Sequence, residues 1–195
     1  ALQIVGTNVF IGGEFNRIGG LVRSNVAAAD LTTGQINSWN PNPDLFVLAL
    51  ESMGDQIYIG GAFRTMGGIQ RSNLAEVHRT TGAVSGWDAG LSSRVAVMAR
   101  SGNILYTGGL LRRAAGAITR NRLAAFDLST HTLTSWNPDV STGSIVEAMS
   151  ISGDRMYVAC TGQVELATTD KLGQKLVLTT AARGDLFGEL SLLDS

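Results

Sequence analysis

The sequence predicts an all-β chain made of repeated four-stranded units, and three observations carry that reading. Whole motifs recur at a spacing of 48 residues. Short apolar runs are separated by Gly, Asn and Thr turns, which is the pattern of strands joined by tight connections. No stretch shows a helical period of useful length.

The repeat is read in order along the chain. Phe10-Ile11-Gly12-Gly13-Glu14-Phe15 recurs as Tyr58-Ile59-Gly60-Gly61-Ala62-Phe63, and in degraded form as Tyr106-Thr107-Gly108-Gly109-Leu110-Leu111. A second small pair follows each: Gly19-Gly20, Gly67-Gly68 and Ala115-Gly116. Next come Arg23-Ser24-Asn25-Val26-Ala27, Arg71-Ser72-Asn73-Leu74-Ala75 and Arg120-Asn121-Arg122-Leu123-Ala124. A turn stands after each, at Thr32-Thr33-Gly34, Thr80-Thr81-Gly82 and Ser129-Thr130-His131. Each unit then reaches a Trp, at Trp39, Trp87 and Trp136. A fourth unit opens at Ser152-Gly153-Asp154 and continues to Val158.

The second unit illustrates the strands. Val47 to Ser52 is the first, and Gly54-Asp55 is a turn that needs positive φ. Gln56 to Gly60 is the second, Asn73 to His78 the third and Ala83 to Trp87 the fourth. A four-stranded unit of this length is one blade of a β-propeller. Blades are expected over residues 1–46, 47–94 and 95–144, with a partial one over 145–160. A blade cannot bury both faces alone, so neighbours must stack on it. The pairs Gly12-Gly13, Gly60-Gly61 and Gly108-Gly109 would allow close backbone approach near the axis. The three Trp would pack between blades, each indole N–H finding a carbonyl.

The ordered motifs over residues 1 to about 160 resemble the bacterial delta-sixty-type β-propeller repeats, a family of uncharacterised function. The resemblance implies a propeller, often within large bacterial surface or secreted proteins, and no particular chemistry. Three and a third blades do not close a ring, since propellers have 4–8. Missing blades or self-association are therefore expected to complete it, and the chain is read as a fragment of a larger bacterial protein.

Composition changes near residue 160. Both lysines, Lys171 and Lys175, follow it, and all three Trp precede it. Residues 161–195 hold three basic and five acidic side chains, against twelve Arg and eleven acids before them. Val164, Leu166, Leu176 and Leu178 alternate with polar residues, which predicts a hairpin. The stretch Gly184-Asp185-Leu186-Phe187-Gly188-Glu189-Leu190 is similar to the phosphate-binding cassette of cyclic-nucleotide-binding domains. In that family, backbone N–H groups at a short helix start hold the phosphate. The resemblance implies that Gly188, Glu189 and Leu190 are the cofactor-binding candidates, with Glu189 on the ribose hydroxyl. The Arg that the family places further on has no counterpart before Ser195, so the segment is read as an incomplete binding domain. For this chain Gly188-Glu189-Leu190 reads as a turn packing Phe187, Leu190 and Leu193, and no cofactor is expected.

Charge and residue types narrow the function. A net charge of −1 gives no footprint for nucleic acid. No apolar run is long enough to span a bilayer as a helix, and no signal-peptide pattern opens the sequence. His78 and His131 have no recurring carboxylate or Cys beside them, so a turn role is expected and no metal site. The single Cys160 reads as a buried thiol. Asp30 and Asp127 read as turn-formers before Thr-Thr-Gly and Ser-Thr-His. Arg23, Arg71 and Arg120 recur with the repeat, which favours a structural bond to a loop carbonyl. No catalytic residues are nominated. The resulting expectation is a non-enzymatic scaffold that binds a protein or glycan partner. The alternative is a regulatory cyclic-nucleotide sensor, and an enzyme would rest on fold analogy alone. The two resemblances point to different compartments, the cell surface and the cytoplasm.

Overall fold

The computed structural model describes residues 1–140 and 145–160 with their side chains, and the backbone of strands at 163–169 and 175–182. The first blade contains β1 (Leu2–Val5), β2 (Asn8–Gly12), β3 (Arg17–Ile18), β4 (Leu21–Val22) and β5 (Val26–Asp30). Strands β1, β2 and β5 form one antiparallel sheet in that order, and β3–β4 is a separate small hairpin. The second blade repeats the plan with β6 (Val47–Met53), β7 (Gln56–Gly61), β8 (Thr65–Met66), β9 (Ile69–Gln70) and β10 (Leu74–His78). The third has β11 (Val95–Ser101), β12 (Ile104–Gly109), β13 (Arg113–Ala114), β14 (Ile118–Thr119), β15 (Leu123–Asp127) and β16 (Thr132–Leu133).

Among the first three blades, the expected fourth strand forms as a strand in the third, as the two-residue β16. In the first two blades it shrinks to one bridge, Ala29 with Ile36 and Val77 with Val84. Ser85 N–H still reaches Glu76 O at 2.9 Å. The Ser85 hydroxyl then accepts from Trp87 N–H at 3.2 Å and turns the chain away. The small hairpins are the feature that pattern reading passed over as loop glycines. Gly67 and Gly68 both take positive φ, +58° and +81°. Two successive left-handed residues are what a two-residue hairpin with native strand twist requires. Ala115 holds the equivalent position at φ +46° in the third blade. At the Gly54-Asp55 turn only Gly54 takes positive φ.

A fourth sheet contains β17 (Val146–Ser152), β18 (Arg155–Cys160), β19 (Gln163–Thr169) and β20 (Lys175–Ala182) in that order. Cys160 pairs with Gln163, so the partial fourth repeat and the expected tail hairpin share one sheet across residue 160. Gly188, Glu189 and Leu190 lie outside the described residues.

The blades stack by their first strands: β1 neighbours β6, β6 neighbours β11, and β11 neighbours β17. Each junction holds one apolar cluster. Phe10, Val26 and Trp39 meet Val47, Ile57 and Phe63 at the first. Tyr58 and Leu74 meet Val95, Leu105 and Phe126 at the second. Leu123 and Val140 meet Val146, Met156, Val158 and Cys160 at the third. The first glycine of each pair serves these junctions. A methyl group on Gly60 would stand 2.8 Å from Val95 Cγ1, and one on Gly108 would stand 2.6 Å from Val146 Cγ1. Gly12 meets Val47 in the same way. The close approach is thus backbone to the next blade's side chain. Gly61 and Gly109 instead press against the backbone carbonyls of Phe46 and Arg94, which immediately precede β6 and β11.

Candidate functional site

One end of the blades carries the three hairpins, and the connectors between blades pass beneath them. Two open clefts lie there. The first, of about 760 Å³, is lined by Glu14, Phe15, Asn16, Asn25 and Asp44 at the junction of blades one and two. The second, of about 830 Å³, is lined by Phe46, Arg64, Ser72, Asn73 and Arg94 at the junction of blades two and three. Thr65 and Gly68 line both, so the second hairpin is the shared wall.

A repeated frame holds these clefts. Arg23, Arg71 and Arg120 each bond two carbonyls. Their Nη2 atoms reach Asn37 O at 2.9 Å, Ser85 O at 2.6 Å and Thr134 O at 2.8 Å. Their Nη1 atoms reach the carbonyl of the preceding residue at 2.8, 2.6 and 2.9 Å. Each therefore ties its hairpin base to the outer edge of its own blade, the structural role expected from the repeat. Asn25 and Asn73 stand in the left-handed region at φ +62° and +68°, which Asn tolerates better than most side chains. Asn73 Nδ2 donates to Leu91 O at 3.0 Å, in the next connector. The connectors return the contact. Asp44 accepts from the N–H groups of Arg64 and Thr65 at 2.8 and 3.1 Å. Ser92 Oγ accepts from Arg112 and Arg113 N–H at 3.2 and 3.0 Å. Partial burial pushes the Asp44 carboxyl up, but the N–H groups of Thr65 and Arg64 outweigh it and leave the acid below its ordinary value.

The lining differs between the clefts. Four equivalent pairs, Glu14 and Ala62, Asn16 and Arg64, Asp44 and Ser92, Phe46 and Arg94, are each 48 residues apart. The charged side chains of the first cleft are Glu14 and Asp44. Those of the second are Arg64 and Arg94. Neither arginine forms an ion pair or side-chain hydrogen bond with a described residue, and Arg94 Nε is buried without a partner.

A second departure from the repeat lies deeper in the same junction. Glu76 is 4% exposed, where the other repeats have Ala28 and Ala125. Tyr58 Oη donates to Glu76 Oε1 at 3.1 Å, and His131 Nε2 stands 3.3 Å from the same carboxyl group. The His131 ring stacks on Trp87, with centroids 5.2 Å apart. Burial, and then the Glu76 carboxyl beside it, keep the Tyr58 hydroxyl protonated well above its ordinary range. These groups lock blade two to blade three.

The other residues singled out by sequence are placed as follows. Trp39 packs edge-on to Phe10, 4.9 Å between centroids, and its Nε1 donates to His78 O of the next blade at 3.1 Å. Trp87 bridges Tyr58 and Phe126, and Trp136 meets Tyr106 edge-on at 5.0 Å. Asp30 Oδ1 accepts from the N–H groups of Thr32 and Thr33 at 2.9 and 2.8 Å. Asp127 does the same for Ser129 and Thr130, and His78 Nδ1 substitutes in the second blade at 3.3 Å to Thr80 and Thr81. His131 takes the left-handed place of Gly34 and Gly82 at φ +58°. These turns lie at the end of the blades opposite the hairpins. Cys160 is buried in the third junction. Sequence reasoning did not single out Arg64, Arg94, Glu76 or Tyr58. The signal for Arg94 and Glu76 was available as charge where other repeats carry Phe46, and Ala28 and Ala125. Arg64 and Tyr58 depart from the first repeat but recur in the third as Arg112 and Tyr106.

No family model and no curated protein matches the chain. Among solved structures it is similar to the computationally designed Ika8 protein, at a TM-score of 0.61 and 16% identity, over 93% of this chain and 48% of that one. It is similar to the extracellular domain of a one-component system, BT4673 of B. thetaiotaomicron, at 0.60 and 11%, over 93% of this chain and 21% of that one. It is also similar to the Neurospora crassa Pan2 WD40 domain, at 0.54 and 16%, over 88% and 49%. The chain thus spans about half the length of the first and last of these. At such identities the likeness establishes architecture alone, and that architecture is an all-β, β-propeller-like repeat.

Proposed function

We propose that this chain is a non-enzymatic binding module whose recognition surface is the hairpin-bearing end of its blades. The observation that carries this reading is the pair of equivalent clefts with a shared frame and divergent lining. The bonds of Arg23, Arg71 and Arg120 recur unchanged, while the charged side chains facing the open space do not. Binding surfaces are commonly built this way, with variable side chains on a rigid scaffold. WD40 and other propeller-like neighbours commonly mediate protein interactions, which makes partner recognition a natural use of such a surface. The alternative, a cyclic-nucleotide sensor, rests on the motif at Gly188, Glu189 and Leu190 alone.

Capture from combined glycan and peptide arrays tests the reading. The wild-type chain is compared with a variant carrying Asn16→Trp and Ser72→Trp, which fills both clefts from exposed or half-buried positions. The expected result is a set of captured ligands that the filled variant loses while keeping its circular dichroism spectrum. Capture that survives filling of both clefts places recognition elsewhere and overturns the reading. Titration with cyclic AMP and cyclic GMP in parallel tests the sensor directly.

A further inference from the structure

We propose that the cleft between the second and third blades binds a carboxylated carbohydrate, with Arg94 and Arg64 holding the carboxylate. The inference rests on the binding-module reading and names the ligand class of one of its two clefts.

The two arginines bring positive charge to a cleft whose lining contains no acid. Elsewhere on this end the repeated arginines spend their guanidinium groups on carbonyls. Arg94 does not: its Nε is buried without a partner like theirs, but neither Nη is bonded to a carbonyl of the described residues. A guanidinium fork left unspent in a cleft matches a planar carboxylate in two parallel hydrogen bonds.

The backbone beneath both arginines is fixed. Arg94 O accepts from Leu110 N–H at 3.2 Å, and Gly109 packs against that same carbonyl. Arg64 N–H is held by Asp44 at 2.8 Å, and Arg64 O accepts from Arg71 N–H at 2.9 Å. Only the side chains remain to be ordered, which lowers the cost of binding.

The rest of the lining selects sugar over peptide. Extended peptides are recognised by adding to a free strand edge or by filling apolar side-chain pockets. Here the walls are turns rather than a strand edge, and Arg64 O and Ser92 N–H in them are already paired. What faces the space is Gln70, Ser72 and Ser93 beside the half-buried ring of Phe46. Amides and hydroxyls suit ring hydroxyl groups, and the ring offers an apolar face to a pyranose. A volume of about 830 Å³ accommodates more than one sugar ring.

Isothermal titration of the whole chain with trimers of galacturonate, guluronate and mannuronate tests the proposal, with their methyl esters and tetraglutamate as comparison probes. At least one uronate trimer is expected to bind with Kd below about 1 mM, and its methyl ester to lose binding. Arg94→Gln should weaken the trimer at least tenfold and Arg64→Gln by less, with Arg94→Lys between wild type and Arg94→Gln. Circular dichroism and the urea midpoint of each variant separate lost binding from lost fold. Equal binding of ester and acid, or unchanged affinity in Arg94→Gln, overturns the proposal. So does tighter binding of tetraglutamate than of any trimer. If no trimer binds but array capture is still abolished by filling the clefts, the carbohydrate assignment falls and the binding-module reading stands. If filling the clefts changes nothing, both fall.

Discussion

The two clefts of the hairpin end share one backbone plan and carry opposite charge. Glu14 and Asp44 line the first, and Arg64 and Arg94 the second. What shapes them is copied in plan: the carbonyl-bound Arg, the left-handed Asn and a connector acceptor, Asp44 or Ser92, that caps the next hairpin. Of the side chains that line them, Ser24 and Asn25 recur as Ser72 and Asn73, while the charged ones have diverged. A repeat therefore conserves its frame through backbone contacts, and charge enters at the remaining lining positions, with Asp44 serving both.

The largest effect is expected where that frame tolerates no side chain. A methyl group on Gly61 would press on Phe46 O, a backbone atom that cannot rotate away. Gly61→Ala should cost about 3 kcal/mol, read from the urea midpoint. The atoms nearest a methyl at Gly60 are side-chain ones, Val95 Cγ1 at 2.8 Å and the Met98 sulfur at 3.3 Å. Gly60→Ala should cost less, and Val95→Ala in the same chain should recover part of the loss, because the two changes share one space. Equal costs for Gly60→Ala and Gly61→Ala would mean that the frame yields as easily as the side chains it holds.

The buried departure at the second junction comes next. Tyr58→Phe leaves the Glu76 carboxyl short of a donor at 4% exposure and should cost about 1–2 kcal/mol. Adding Glu76→Ala restores the Phe10–Ala28 arrangement of the first blade. The double variant should therefore be less destabilised than the sum of the two single changes. Additive costs in a double-mutant cycle would show that the hydroxyl and the carboxyl are not coupled.

Transplanting the lining tests the comparison directly. Glu14→Ala, Asn16→Arg and Asp44→Ser place the second cleft's residues in the first. Ser at 44 keeps a hydroxyl acceptor for the Arg64 and Thr65 N–H groups, as Ser92 does for its own hairpin. The stoichiometry of uronate binding should rise from one toward two per chain, more weakly at the new site because Phe46 stays where the donor cleft has Arg94. Asp44→Ala, by contrast, removes the acceptor and should cost about 1 kcal/mol. Because the Asp44 carboxyl is held below its ordinary value, its contribution is present above the unfolded pKa of about 3.9. It is lost as pH falls through the lower folded value. The wild-type advantage over Asp44→Ala should therefore shrink only in acid.

How much of this was legible in sequence depends on what each residue contacts. The blades were legible because strand alternation and turn glycines are local signals, and 48-residue copying made them unmistakable. The structural use of Arg23, Arg71 and Arg120 was legible because it recurs. The small hairpins were not, since a two-residue strand has no periodicity to detect and shows itself only as two left-handed residues in succession. The clefts were not legible either. They join residues of two blades, such as Arg64 and Arg94, and no local pattern reports that pairing. The shared sheet across residue 160 was hidden for a similar reason. The composition changes there, while backbone hydrogen bonds such as those around Cys160 and Gln163 take no account of composition.

The smallest effect is expected at the far rim, where the repeat also varies. Asp30 is held below its ordinary value first by the Thr33 N–H, then by the Thr33 hydroxyl and the Thr32 N–H. Asp127 is held the same way by Ser129 and Thr130. His78 fills the equivalent place with longer bonds, 3.3 Å to both turn N–H groups, against 2.9 and 2.8 Å at Asp30. His78→Asp should therefore shorten the turn bonds and raise the urea midpoint slightly at neutral pH. The sign follows from the depressed carboxyl: the gain is present above the ordinary Asp value and disappears as pH falls through the folded one. Uronate affinity should not move, because the turn and the clefts lie at opposite ends of the blade. A change in affinity with His78→Asp would show that the two ends are coupled, and that the charge lining each cleft does not act alone.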